Sequence, residues 1–94
     1  MNPSSFSGIY ENLFGAQVAV FLSELKDNLL TVQISTPSED GEFETETYEV
    51  SVSPNGESNT FTHESFTMSG TYIDLICKLV AINEPFDINK ILNN

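Results

Sequence analysis

The stretch Ala16-Gln17-Val18-Ala19-Val20-Phe21-Leu22-Ser23-Glu24 decides the fold, because it satisfies two periodicities at once. Counted at helical spacing, Phe14, Val18, Phe21, Leu22 and Leu25 share a face, and a helix would run to Lys26. Counted by twos, Val18, Val20 and Leu22 share one face, with Ala19 and Phe21 on the other. Gly15 just before and the valines within favour a strand, as does Lys26-Asp27-Asn28, a tight turn, just after. We read residues 16–24 as a strand.

Asn28–Thr36 follows as a second strand, with Leu30, Val32 and Ile34 facing a core and Thr31, Gln33 and Ser35 facing outward. Pro37-Ser38-Glu39-Asp40-Gly41 is a loop, and Glu42–Ser53 a third strand with Tyr48, Val50 and Val52 on one face. Pro54-Asn55-Gly56 reads as a turn, and a fourth strand covers Asn59–Glu64, extending at most to Met68.

Upstream, Phe6, Ile9, Tyr10, Leu13 and Phe14 recur at helical spacing, so a short N-terminal helix stopping at Gly15 is expected. Downstream, Thr71 and Asp74 approximate a capping box. A helix over 71–83 then carries Ile73, Ile76, Leu79 and Val80, with Cys77 on the same buried stripe. Glu84-Pro85 ends it, and Asp87 caps a last short helix with Ile88, Ile91 and Leu92. The expected fold is α+β, a single small domain over residues 1–94. Its order is an N-terminal helix, an antiparallel β-meander of three or four strands, then two C-terminal helices.

Charge limits function more than any motif does. The 94 residues hold 14 acids against three bases, Lys26, Lys78 and Lys90, for a net charge of −11. Such a field repels nucleic acids and anionic membranes and attracts basic surfaces, and phosphate neutralisation needs lysines and arginines that are absent. The longest apolar stretch, Leu13 to Leu22, is too short to span a bilayer. One cysteine allows no internal disulfide, and Met1-Asn2-Pro3-Ser4-Ser5 lacks the basic start of a signal peptide. A cytoplasmic, reducing compartment is expected.

Catalytic chemistry has little to draw on. His63 is the single histidine and Cys77 the single thiol, too few for a zinc site. No glycine-rich phosphate loop or dinucleotide fingerprint occurs, and Glu39-Asp40-Gly41-Glu42 does not match a calcium loop. Composition permits a carboxylate pair for glycoside chemistry, but there is no tryptophan to stack a sugar. We expect no enzyme and no cofactor.

The acids are concentrated. Six of them, Glu39, Asp40, Glu42, Glu44, Glu46 and Glu49, fall within residues 39–49, and no lysine or arginine lies between Lys26 and Lys78. In a strand, Glu42, Glu44 and Glu46 line one face at steps of about 6.6–6.8 Å. They share parity with Tyr48, Val50 and Val52, whose face is expected to be buried, and unpaired glutamates do not enter a core cheaply. Either a bulge near Glu46–Tyr48 flips the register, or 42–46 projects as a solvated ribbon. A carboxylate row suits a nucleic-acid mimic that occupies a basic groove. It equally suits an edge strand that charge protects from aggregation.

The inferred element order, the size and the acidity resemble small phage-encoded inhibitors of host nucleases, including anti-CRISPR and anti-restriction proteins. That resemblance implies a partner that is a basic, nucleic-acid-handling protein, and it carries over no site residues; the concentration of charge makes Glu39, Asp40, Glu42, Glu44, Glu46 and Glu49 the expected partner-binding surface. The stretch Asn12-Leu13-Phe14-Gly15-Ala16-Gln17-Val18 resembles the start of an Sm-like barrel, whose RNA-binding bases this chain lacks. Alternative expectations are a structural or adaptor subunit of a virion or larger assembly, and an immunity protein that neutralises a basic toxin.

Overall fold

The computed structural model describes residues 2–38 and 40–83. A 3₁₀ turn over Pro3–Phe6 leads into six strands: β1 (Gly8–Glu11), β2 (Gln17–Leu22), β3 (Leu29–Pro37), β4 (Phe43–Asn55), β5 (Ser58–His63) and β6 (Phe66–Gly70). They form one antiparallel sheet in the order β1-β2-β3-β4-β5-β6, and α1 (Tyr72–Ile82) follows.

The N-terminal helix is replaced by the 3₁₀ turn and β1, and the three or four strands by six. The last helix proposed around Asp87–Leu92 lies outside the described residues. The helical spacing at 6–14 was outweighed by hairpin chemistry. Asn12 Oδ1 accepts from the N–H groups of Phe14 (3.0 Å) and Ala16 (2.9 Å), and Gly15 takes φ +80. That closes a loop and lays Ile9 opposite Ala19 and Tyr10 opposite Val18.

The reading of 16–24 as a strand holds, as do the inward and outward faces of β3 and β4. Asp27 (φ 54) and Asn28 (φ 63) form the two-residue turn between β2 and β3, left-handed at both positions. The next turn sits one residue later than expected, over Gly56-Glu57, so Pro54 is inside β4. Pro54 shares parity with Val52, whose N–H faces β3 and donates to Asn28 O (2.8 Å). The β3 ladder ends at Leu29↔Ser51, so the missing N–H of Pro54 costs no ladder bond. Rather than extending β5 toward Met68, the chain turns at Glu64-Ser65 and returns as β6.

One face of the sheet is buried. Val18, Val20, Leu22, Leu30, Val32, Ile34, Val50, Val52 and Phe61 pack beneath Leu75, Ile76, Leu79 and Val80 of α1. The helical stripe is rotated from the expected one: Ile73 is 42% exposed, and Cys77 is exposed. Tyr72, Leu75, Ile76, Leu79 and Val80 suffice to cover the sheet, which turns the 73–77 ridge outward.

The capping box is complete. The Thr71 N–H donates to Asp74 Oδ2 (2.8 Å), and the Asp74 N–H donates to Thr71 Oγ1 (3.2 Å). Gly70, at φ +157, lets that carboxylate approach, because a Cβ there would stand 2.6 Å from Asp74 Oδ2. The Thr71 backbone N–H, with its hydroxyl second, holds the Asp74 carboxyl below its ordinary pKa. A carboxylate depressed by folding stabilises above the unfolded value, near pH 4, and the contribution fades as pH falls through the lower folded value. Wild type and Asp74→Asn should therefore differ in urea midpoint at about pH 6, and the difference should shrink steadily as the pH is lowered below about 4, in parallel titrations of helical CD signal. A gap that persists at the acid end would mean the charge is irrelevant to the cap.

Candidate acidic site on the β3–β4 ribbon

The register of β3 with β4 runs unbroken from Leu29↔Ser51 to Pro37↔Phe43, so there is no bulge. Glu44 stands opposite Thr36 and Glu46 opposite Ile34, on the core side of the sheet, yet both glutamates are exposed. Two features of the fold allow this. β5 pairs with β4 only from Ser51 onward, so the first half of β4 is a ribbon held by β3 alone. In addition, α1 ends at Ile82, where Asn83 ties it down: its Nδ2 donates to Thr36 Oγ1 (3.0 Å), and its Oδ1 accepts from the Tyr48 hydroxyl (3.3 Å). Glu46 is near enough to act on Tyr48, whose pKa is raised by burial first and by the Glu46 charge second.

The tip of the ribbon is ordered by its own polar groups. Glu42 O accepts from the Ser38 N–H (2.7 Å) and lies 2.8 Å from the Ser38 hydroxyl oxygen. Asp40 Oδ1 accepts from the Ser38 hydroxyl and from the Glu42 N–H (3.2 Å). Those bonds, the Ser38 one foremost, hold the Asp40 carboxyl below its ordinary pKa, so it stays charged.

The expected six-acid surface is thus divided. Asp40, Glu42, Glu44 and Glu46 share one ribbon in water. Glu49 pairs with Thr31 on the opposite, open face of the sheet, and Glu39 lies outside the described residues. Sequence reasoning did not find that Glu49 belongs elsewhere, although its odd parity against Glu42, Glu44 and Glu46 carried that signal.

His63 and Cys77 are not brought together. The His63 ring stacks on Phe66 (5.1 Å between centroids), and its Nδ1 lies 3.0 Å from Ser65 Oγ. Cys77 lines a separate cleft of about 150 Å³ beside Tyr10, Asn12 and Val80. Among the described residues, no group of three or more His, Cys, Asp or Glu is placed to hold a metal ion, and no helix is long and apolar enough to cross a membrane.

The resemblance to nuclease inhibitors rested on element order and charge, and the six-stranded order removes the first of these. No protein family, no curated protein and no solved structure matches the chain.

Proposed function

We propose that this chain is a non-enzymatic binding protein whose β3–β4 ribbon enters a basic groove of a nucleic-acid-handling protein and competes there with nucleic acid. The observation that carries this reading is the exposed pair Glu44 and Glu46 on a strand supported from one side only, with exposed Glu42 just before it. Alternate residues of an extended strand repeat every 6.6–6.8 Å or so, near the spacing of phosphates along a nucleic-acid strand. Pairing with β3 fixes the backbone of β4 in its extended form, so the main chain needs little ordering on binding. A phage-type inhibitor of the anti-CRISPR or anti-restriction kind has this chemistry. Action inside a cell belongs to the same reading, since the exposed Cys77 thiol persists in a reducing compartment.

The adaptor or virion-subunit reading draws on a different observation, the exposed Ile9, Phe21 and Phe43. Affinity capture from a host lysate, with nucleic acid as competitor, separates the two. The decoy reading expects captured basic proteins to be released by added duplex DNA or RNA and by salt. Captured partners that resist both would support an adaptor.

A further inference from the structure

Because β5 pairs with β4 only from Ser51 onward, a strand position beside the first half of β4 is unfilled among the described residues. The ladder fixes which backbone groups face it. The Val52 N–H faces β3 and donates to Asn28 O (2.8 Å), and peptide groups alternate in direction along a strand, so the even-numbered residues of β4 bond to β3. Odd-numbered residues face the other way, as Ser51 and Ser53 do toward Thr62 and Thr60 of β5. Phe43, Thr45, Thr47 and Glu49 therefore turn their N–H and C=O groups outward, and no described residue bonds to those groups. All four residues are exposed. The position lies in line with β5, beyond the Glu64-Ser65 turn that ends it. The outermost strands, β1 and β6, also have a free edge, but they are four and five residues long, and β6 carries no charge.

We propose that this position receives an extended, basic segment of the partner protein as an added β-strand. The proposal rests on the reading of the ribbon as a surface for a basic partner, and it supplies the mode of contact. Two observations select the occupant. The outward N–H and C=O groups at alternate residues of a straight strand are matched by another extended chain, which takes them up as ladder bonds. Charge then selects a basic chain. On the side of α1, residues of the added strand opposite Glu44 and Glu46 would have their Cβ atoms about 4.5–5.5 Å away, where lysine or arginine is favoured and a carboxylate is repelled. On the other side the added strand meets the uncharged Thr45 and Thr47. The ribbon of a second copy would set Glu44 and Glu46 against the same residues, so the charges that admit a basic strand keep the chain from pairing with itself. Main-chain bonds hold the segment in register, and basic side chains at every second position meet the carboxylates. Lysines and arginines engaged in this way are withdrawn from phosphates, which is the competition that the basic-partner reading requires.

The test uses the full chain and two synthetic peptides of about eight residues that alternate lysine with threonine, one of them methylated at every backbone nitrogen. The two carry the same charge, but the methylated peptide cannot donate to a ladder. At about 50 mM salt the unmodified peptide should bind, and the methylated one at least about tenfold more weakly. On binding, hydrogen exchange at the amides of Phe43, Thr45, Thr47 and Glu49 should slow, while the amides of Glu44 and Glu46, already bonded to β3, should change little. Thr47→Pro removes an outward N–H and no bond to β3, so it should weaken the unmodified peptide by at least about tenfold with the far-UV CD spectrum unchanged. Equal binding of the two peptides without slowed exchange overturns strand addition and leaves the basic-partner reading standing, since that reading needs charge alone. Binding by neither peptide also overturns strand addition, and the basic-partner reading is then judged separately, by whether nucleic acid and salt release captured proteins. Undiminished peptide affinity in a folded Thr47→Pro variant overturns strand addition as well.

Discussion

Phe61→Ala is expected to lower stability by about 3–5 kcal/mol. Phe61 is fully buried and among the largest of the buried side chains. It stands between Val52 and Met68 across the sheet, and its ring centroid lies 5.5 Å from that of Tyr72, in the first turn of α1. It therefore joins the C-terminal half of the sheet to the helix that covers it. Truncation removes most of an aromatic side chain and leaves a cavity bounded by strands that cannot collapse without breaking register. A domain of this size has about 5–15 kcal/mol in total, so the variant should sit at the margin of folding. Ile76→Ala, approaching the same core from the helix, should cost about 2–5 kcal/mol. Urea unfolding measures both, with Phe21→Ala on the open face as the reference and a change there within about 0.5 kcal/mol. A loss below about 1 kcal/mol for Phe61→Ala would mean that this sheet and helix do not share one core.

The parts of this fold legible from sequence were those in which local chemistry and tertiary packing agree. Leu30, Val32 and Ile34 alternate with Thr31, Gln33 and Ser35, and β3 follows that alternation along its length. Asp27-Asn28 and Thr71…Asp74 name their own turn and cap, and both formed. Disagreement arose where two periods overlap. Phe6, Ile9, Tyr10 and Leu13 fit a helix by spacing, but pairing Gly8–Glu11 with β2 satisfies backbone groups along the sheet edge, and Asn12 with Gly15 closes the loop. Nothing in Phe66-Thr67-Met68-Ser69-Gly70 marks a strand strongly, and β6 exists because β5 offers it an edge. In α1, periodicity alone could not distinguish a stripe centred on Ile73 and Cys77 from one centred on Leu75 and Leu79, because the adjacent apolar residues make both continuous.

The candidate site shows the same division. The run Glu42, Glu44, Glu46 and its conflict with the buried parity of Tyr48 and Val50 were visible in the sequence. Its resolution was not, because it depends on where β5 stops pairing and where α1 ends. The resulting ribbon is a long edge with charges along it, a form that also blocks edge-to-edge aggregation. Function and protection are thus not exclusive at these residues, and only a binding measurement separates them.

Replacing Glu42, Glu44 and Glu46 together with Gln is expected to slow association with the captured basic partner by about tenfold at low salt. The change keeps side-chain size and takes the net charge from −11 to −8. All three residues are exposed, and neighbouring like charges are being removed, so the fold should be unaffected or slightly more stable. Steering by a charged ribbon acts on encounter, so the loss should appear first in the association rate. It should shrink as salt is raised, because screening weakens the wild-type advantage beyond about 10 Å at 0.1 M salt. Glu49→Gln provides the internal control: it removes a charge from the same strand but on the opposite face, and should leave the rate nearly unchanged. Stopped-flow association at two ionic strengths decides the matter. If the triple variant and wild type associate equally fast at both, the ribbon is an edge protected by charge and nothing more. Affinity must then come from apolar anchors such as Phe21 and Phe43, and the adaptor reading replaces the decoy.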